Sequence, residues 1–337
     1  MGMSRNSHQG IGKTTFNGEK AIQMTFYPYS AVILPEIGGN LVSFADIERD
    51  YRFIREPALE EMSSFKKQAI LHGIPVLFPP NRYENGRFRL SGRSYQWPVN
   101  EEVNQNHIHG FLYDQPWQIY SMGESEEAVY AELIIVNEPG GKIFSYFPHF
   151  FEIRLRYELS GVGLTKRITV TNTGKDPMLC MLGFHTAINA PFAPESTMED
   201  CLLKLTIGKR IELSDRMLPT GRFLPLTPEE VKMKREGISP FFAPLDNHYT
   251  AEAQDGHNRM VLTDLKEKVR LVYDVGTKFK FWMIYNHDAK SGFICPEPQT
   301  NMVNAPNLNL PPEQTGMVIL DGGESWSETS RIFPEKF

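Results

Sequence analysis

Phe151-Glu-Ile-Arg-Leu-Arg-Tyr-Glu-Leu159 alternates without a break. Phe151, Ile153, Leu155, Tyr157 and Leu159 fall on one side, and Glu152, Arg154, Arg156 and Glu158 on the other. Successive side chains of an extended chain point to opposite faces, so this period of two predicts a half-buried antiparallel strand. Outward from it, similar patterns predict strands over residues 164–171, 178–184, 202–207, 261–274 (two short pieces), 279–285 and 316–321. Asn172-Thr-Gly-Lys-Asp-Pro177 reads as a turn between two of them.

Helical signals are few. Residues 57–69 allow a short helix, with Leu59, Met62 and Phe65 roughly on one side. Thr227-Pro-Glu-Glu230 is a capping box with Pro at the first helical position, which predicts a short helix to Arg235 that ends at Gly237. No internal repeat, low-complexity segment or dividing linker stands out. Many short strands with almost no βαβ alternation predict an all-β chain: one large antiparallel β-sandwich over residues 21–337 with few short helices. Residues 1–20 are polar and Gly-rich, and read as a flexible N-terminal tail. Gly10-Ile-Gly-Lys-Thr-Thr15 is no phosphate loop, because Ser7 stands where the motif wants Gly and no strand is predicted before it.

Composition narrows the function classes. The 337 residues are 41% apolar and 23% charged, ordinary for a globular protein. A net charge of −6 argues against nucleic acid or an anionic membrane as partner, since both want a basic face. Three widely spaced cysteines, Cys180, Cys201 and Cys295, form neither a disulfide framework nor a thiolate zinc motif. With no apolar leader and no run long enough to span a bilayer, the expected location is the cytoplasm.

Five places carry groups fit for chemistry. Glu297 lies between Pro296 and Pro298, which both fix φ, so a rigidly held carboxylate is expected at the mouth of a β structure. Asn81-Arg82 follows the proline-stiffened Gly73-Ile-Pro-Val-Leu-Phe-Pro-Pro80, and Arg82 offers five donors to a polyhydroxylated or anionic ligand. Asn106-His-Ile-His-Gly110 places His107 and His109 on one face of an extended segment. Two His at this spacing can hold a metal, but Tyr113 and Asp114 occupy the places where a cupin-type barrel would want Glu. His185 ends an apolar strand, and Asp246 sits in a loop after Phe241-Phe-Ala-Pro244. Each has a plain structural alternative: a loop anchor, an Arg tying a loop to carboxylates, a packed His, a turn.

Order and spacing raise their weight together. From Ala31 to the C-terminus the chain resembles the aldose 1-epimerases, or galactose mutarotase-like proteins. The resemblance is carried by Gly38-Gly39-Asn-Leu-Val-Ser43, Pro79-Pro-Asn-Arg82 with Gly86, Gly92-Arg-Ser-Tyr95 and Asn100-Glu101, Asn106-His-Ile-His-Gly110, Gly183-Phe-His185, Leu218-Pro-Thr-Gly221, Leu245-Asp246 and Pro296-Glu297-Pro-Gln-Thr300. It implies a large β supersandwich that interconverts the anomers of a free aldohexose without metal or cofactor. His185 would be the acid that protonates the ring oxygen, and Glu297 the base that takes the proton from the anomeric hydroxyl. Arg82, His109 and Asp246 would bind sugar hydroxyls. His185 is then expected as an imidazolium and Glu297 as a carboxylate. One departure stands out: Thr186-Ala-Ile-Asn189 replaces the family's Pro-Tyr-Phe-like residues, and sugar preference is expected to depend on residues 186–194 and 239–249.

Three rivals remain at this level. A glucose-6-phosphate 1-epimerase-like enzyme would meet a phosphate with Arg87, Arg89 and Arg93. A glycoside hydrolase would pair Asp246 with Glu297 and leave His185 and His109 idle. A non-catalytic sugar-binding module would keep Arg82 and an aromatic such as Trp97 or Trp282.

Overall fold

The structure, a computed structural model, describes residues 9–337. The alternating stretch forms the strand Phe151–Ser160, with odd positions buried and even positions half-buried. It lies third in an eight-stranded antiparallel sheet ordered Gln118–Glu124, Ala128–Asn137, Phe151–Ser160, Gly163–Asn172, Ser325–Lys336, Val269–Asp274, Arg259–Asp264 and Cys201–Leu205. The C-terminal strand therefore closes the middle of this layer.

A second sheet runs Pro219–Leu224, Ile207–Leu213, Asp246–Ala251, Phe281–Tyr285, Phe293–Gln299, Gly183–Phe184 and Val76–Leu77, with Ile188–Asn189 also paired to Phe293–Gln299. A five-stranded sheet from Gln9–Phe16 to Tyr51–Arg52 continues this layer. The junction is the bridge between Ile54 and Ile188 and the bond from Asn189 N to Phe53 O at 3.0 Å. One apolar core spans all three sheets, including Phe44, Phe53, Tyr157, Phe184 and Trp282. The architecture is thus an antiparallel β-sandwich with short helices only.

Several local expectations differ, among them the strand read over 316–321, of which only Ile319–Leu320 forms. Within the stretch read as a tail, Gln9–Phe16 is a strand paired along its length with Glu19–Phe26; the rest of that stretch, residues 1–8, lies outside the described residues. Its polar pattern is that of an edge strand, which needs only one buried face. Residues 178–184 split into Met178–Leu179, paired with Ile319–Leu320, and Gly183–Phe184, paired with Val76–Leu77. Residues 57–69 hold a 3-10 turn, Leu59–Glu61, and the short helix Met62–Phe65; Met62 and Phe65 are buried but Leu59 is exposed. Phe293–Gln299, not among the expected strands, is a fully buried strand.

The capped helix is Pro228–Arg235, as its sequence predicts. Thr227 Oγ1 accepts from Glu230 N at 3.3 Å, and the Glu230 carboxylate accepts from Thr227 N at 2.9 Å. All three cysteines are free and buried. No helix among the described residues is long and apolar enough to cross a membrane.

Candidate active site

The site starts from an interrupted strand pairing. Gly183 pairs with Gln299 and Ile188 with Ile294, and both pairs belong to one antiparallel register. That register sets His185 opposite Glu297. Lys280 N donates to Gln299 O on one side of Phe293–Gln299, and Thr300 N donates to Leu182 O on the other. By alternation, positions 296 and 298 present their nitrogens toward residues 183–188. Both are prolines with no N–H to donate, so the ladder opens between the two pairs. Directly opposed strand residues hold their Cβ atoms about 5 Å apart. His185 Nε2 and Glu297 Oε1 accordingly stand 3.1 Å apart, both buried and within proton-transfer distance.

A second loop system brings up the remaining side chains. Asn106–Ile108 pairs with Arg82–Glu84, with Ile108 opposite Arg82. His109 then takes a positive φ of 63° and donates its N–H to Asn81 O at 3.0 Å. Gly110 follows at φ +68°, where a Cβ would meet Phe78 O at 2.2 Å. This turn breaks the alternation, so the two histidines do not share a face as expected. His107 packs against Trp97 and Phe111, ring centroids 5.2 and 4.7 Å away, and its Nδ1 lies 2.8 Å from Pro98 O. The His109 ring instead stands nearly perpendicular to that of His185, centroids 5.3 Å apart.

Arg82 donates from Nε to both Glu101 oxygens, at 2.9 and 3.1 Å, and from Nη2 to Asp246 Oδ2 at 3.5 Å. Asp246 opens the strand Asp246–Ala251 opposite Tyr285. All five candidate residues, Arg82, His109, His185, Asp246 and Glu297, line one cavity of about 260 Å³. Gln68, Ile70, Leu71, Asn81, Asn100, Glu101, Ile108 and Tyr285 complete the wall.

Burial dominates the electrostatics. It pushes the His185 imidazole down to about 4. It holds Glu297 well above the usual carboxylate range, with Asp246 adding to the rise and Arg82 opposing it. Burial thus works against the expected imidazolium–carboxylate pair, because both charged forms lose hydration here. Burial also lowers His109 far below the ordinary imidazole value, with His185 and Arg82 adding to the effect. Asp246 is raised by burial, against the attraction of Arg82. His109 Nδ1, His185 Nδ1 and Glu297 Oε2 are buried without a hydrogen-bond partner among the described residues. Buried polar atoms are mostly paired in proteins, and three of the eleven unpartnered ones among the described residues belong to residues of this one cavity wall, which suits a polar ligand.

Other expected positions lie elsewhere. Trp97 and Trp282 are buried in the core, and Trp282 donates to Asn258 Oδ1. Arg87 and Arg89 sit on a separate surface hollow, and Arg93 pairs with Asp176. Of residues 186–194 and 239–249 only Asp246 reaches the cavity wall, to which segment 68–71 contributes Gln68, Ile70 and Leu71. Gln68, Ile70, Leu71 and Ile108 carried no chemical signal in the sequence, whereas Glu101 lay inside the Asn100-Glu101 motif.

The chain belongs to the aldose 1-epimerase family, whose model matches residues 20–332. A galactose mutarotase-like protein from Clostridium acetobutylicum superposes with a TM-score of 0.95 at 29% identity, over 98% of this chain and 100% of that one. A galactose 1-epimerase from Lactobacillus acidophilus shares the fold, with a TM-score of 0.72 at 15% identity over 97% and 99% of the two chains. The uncharacterised protein YihR of Escherichia coli (strain K12) is 27% identical over 158 residues, 46% of this chain and 47% of that protein. The chain thus matches less than half the length of such curated relatives.

Proposed function

We propose that this protein interconverts the α and β anomers of a free aldohexose by acid–base opening and closing of the ring. The observation that carries the reading is His185 Nε2 at 3.1 Å from Glu297 Oε1, in the wall of a cavity that Arg82, His109 and Asp246 also line.

A cyclic aldose is a hemiacetal. Opening it takes one proton from O1 and delivers one to O5; rotation about C1–C2 and closure give the other anomer. The neutral pair and the ion pair contain the same number of protons. Transfer of the shared proton from Glu297 to His185 generates an acid and a base at once. His185 then protonates O5 while Glu297 takes the proton of O1, and closure reverses the roles. Substrate and product are isomers, so the balance closes without a redox partner. Each group contributes about 10²–10⁴-fold, with positioning added by Arg82, His109 and Asp246 as binders of sugar hydroxyls.

A phosphorylated sugar is less well supported. Among the described residues, Arg82 is the only Lys or Arg in the cavity wall, and it already faces two carboxylates. The test is polarimetry or NMR on fresh α-glucose and α-galactose. Wild type should accelerate anomer exchange, and His185→Ala and Glu297→Gln should each lose nearly all of it while folded. No acceleration with any of several free aldoses sinks the proposal. Acceleration only with a sugar phosphate transfers it to that substrate, and release of a reducing sugar from a glycoside replaces it with hydrolysis.

A further inference from the structure

We propose that Lys166 is a positioning residue for the His185–Glu297 pair, acting from the opposite layer of the sandwich through the two residues that flank His185. The inference rests on the reading of that pair as the reacting one.

Lys166 lies in the strand Gly163–Asn172 and is 2% exposed. Its cross-strand neighbours are Tyr157 and Ser330, both buried. The Lys166 Nζ stands 3.1 Å from the centroid of the Phe184 ring and 3.1 Å from the Tyr273 hydroxyl oxygen. The Thr186 hydroxyl donates to the same oxygen at 3.3 Å. Phe184 and Thr186 are fully buried, one residue before and one after His185. Alternation along an extended segment sends these two side chains into the interior while His185 faces the cavity. One amine therefore acts on both ends of the short segment that carries His185, from behind: on Phe184 directly and on Thr186 through the Tyr273 hydroxyl.

Backbone bonds hold the segment on its other edge, where His185 N donates to Pro75 O at 3.2 Å and Ala187 N to Gly73 O at 2.9 Å; the edge toward Glu297 lacks them. Pro296 and Pro298 leave no ladder pair between Gly183–Gln299 and Ile188–Ile294. On this side, backbone bonds do not set the distance from His185 to Glu297. The contacts from the core act at that gap.

The amine is not there by default. A lysine is almost never fully buried unless paired, and none of the described carboxylates pairs with this one. Burial pushes its ammonium well below the usual range. Its Nζ donates to the Tyr273 oxygen, and the same oxygen accepts from Thr186. A methionine would fill the same space without the desolvation cost.

The test uses Lys166→Met, Tyr273→Phe and Thr186→Val in the full chain. Thermal melting, steady-state kinetics on a free aldose, and ¹⁵N-detected titration of the His185 ring are measured, the ring signal being assigned by its loss in His185→Ala. The expected result is a folded Lys166→Met whose kcat falls about tenfold to a hundredfold with KM little changed, since misplacing a reacting group by about 1 Å costs on that order. Its His185 ring titrates closer to the ordinary imidazole value than in wild type. Thr186→Val gives the same pattern, and the Lys166→Met/Thr186→Val pair is far from additive. A folded Lys166→Met with an unaltered His185 titration overturns the proposal, whatever its melting temperature. If Lys166→Met does not fold, Tyr273→Phe and Thr186→Val decide by the same criterion. Should wild type accelerate no aldose, the proposed function fails, and the ring titration still decides whether Lys166 positions His185.

Discussion

Glu297 illustrates how a single buried carboxyl ties stability to pH. Its folded-state pKa is raised, first by burial. The stability it contributes is present below the ordinary carboxylate range and is lost as pH rises toward the raised value, at about 1.4 kcal/mol for each pH unit between the two. Glu297→Gln mimics the protonated form and removes that loss. The variant should therefore melt above wild type, by more at pH 8 than at pH 5, while losing activity by about 10²–10⁴-fold; calorimetry at the two pH values checks the first half. His185 carries the opposite sign. Its pKa is lowered to about 4, so its contribution is present above the ordinary imidazole value and is lost as pH falls toward 4. Only the one-proton state of the pair holds an acid and a base together. A plot of kcat/KM against pH should therefore drop on the acid side as His185 takes a second proton near pH 4. On the alkaline side it should hold beyond the usual carboxylate range, until Glu297 ionises. An acid limb at the ordinary imidazole value would contradict the neutral pair.

At the scale of elements, the site depends on places where regular pairing stops. The ladder opens at Pro296 and Pro298, and the His109–Gly110 turn leaves its strand at positive φ. Gly110 has no room for a side chain, because the Phe78 carbonyl lies where its Cβ would be. Gly110→Ala should thus destabilise the fold by more than about 1–3 kcal/mol, read by denaturant melts, and raise KM through the displaced His109. The strand at 151–159 was legible because it answers only to burial on one face. The strand Phe293–Gln299 was not, since two prolines argue against a strand inside a sheet. It is tolerated because their nitrogens face the gap between Gly183–Phe184 and Ile188–Asn189, a fact about neighbours more than a hundred residues away.

The whole molecule carries a net charge of −6, and Arg82, the cation of the cavity wall, is held by Glu101 and Asp246. Neither feature favours a dianionic sugar, and neither steers a neutral one. The rate on a free aldose should change by less than about twofold between low and high salt, because screening acts on exposed charges and spares buried pairs. A steep salt dependence would point to a charged substrate and weaken the free-sugar reading.

By itself the sequence determined the all-β class and the capped helix, which are properties of local periodicity; the five candidate residues drew their roles from an order of motifs that resembles the aldose 1-epimerases. Only the tertiary structure decided that Arg82, His109, His185, Asp246 and Glu297 share a cavity, that His107 does not, and that segment 68–71 walls it. It also decided the direction in which burial shifts the two groups of the pair. Charge state follows from hydration, and the burial of Glu297 and His185 is created by strands distant in sequence that no local pattern reports.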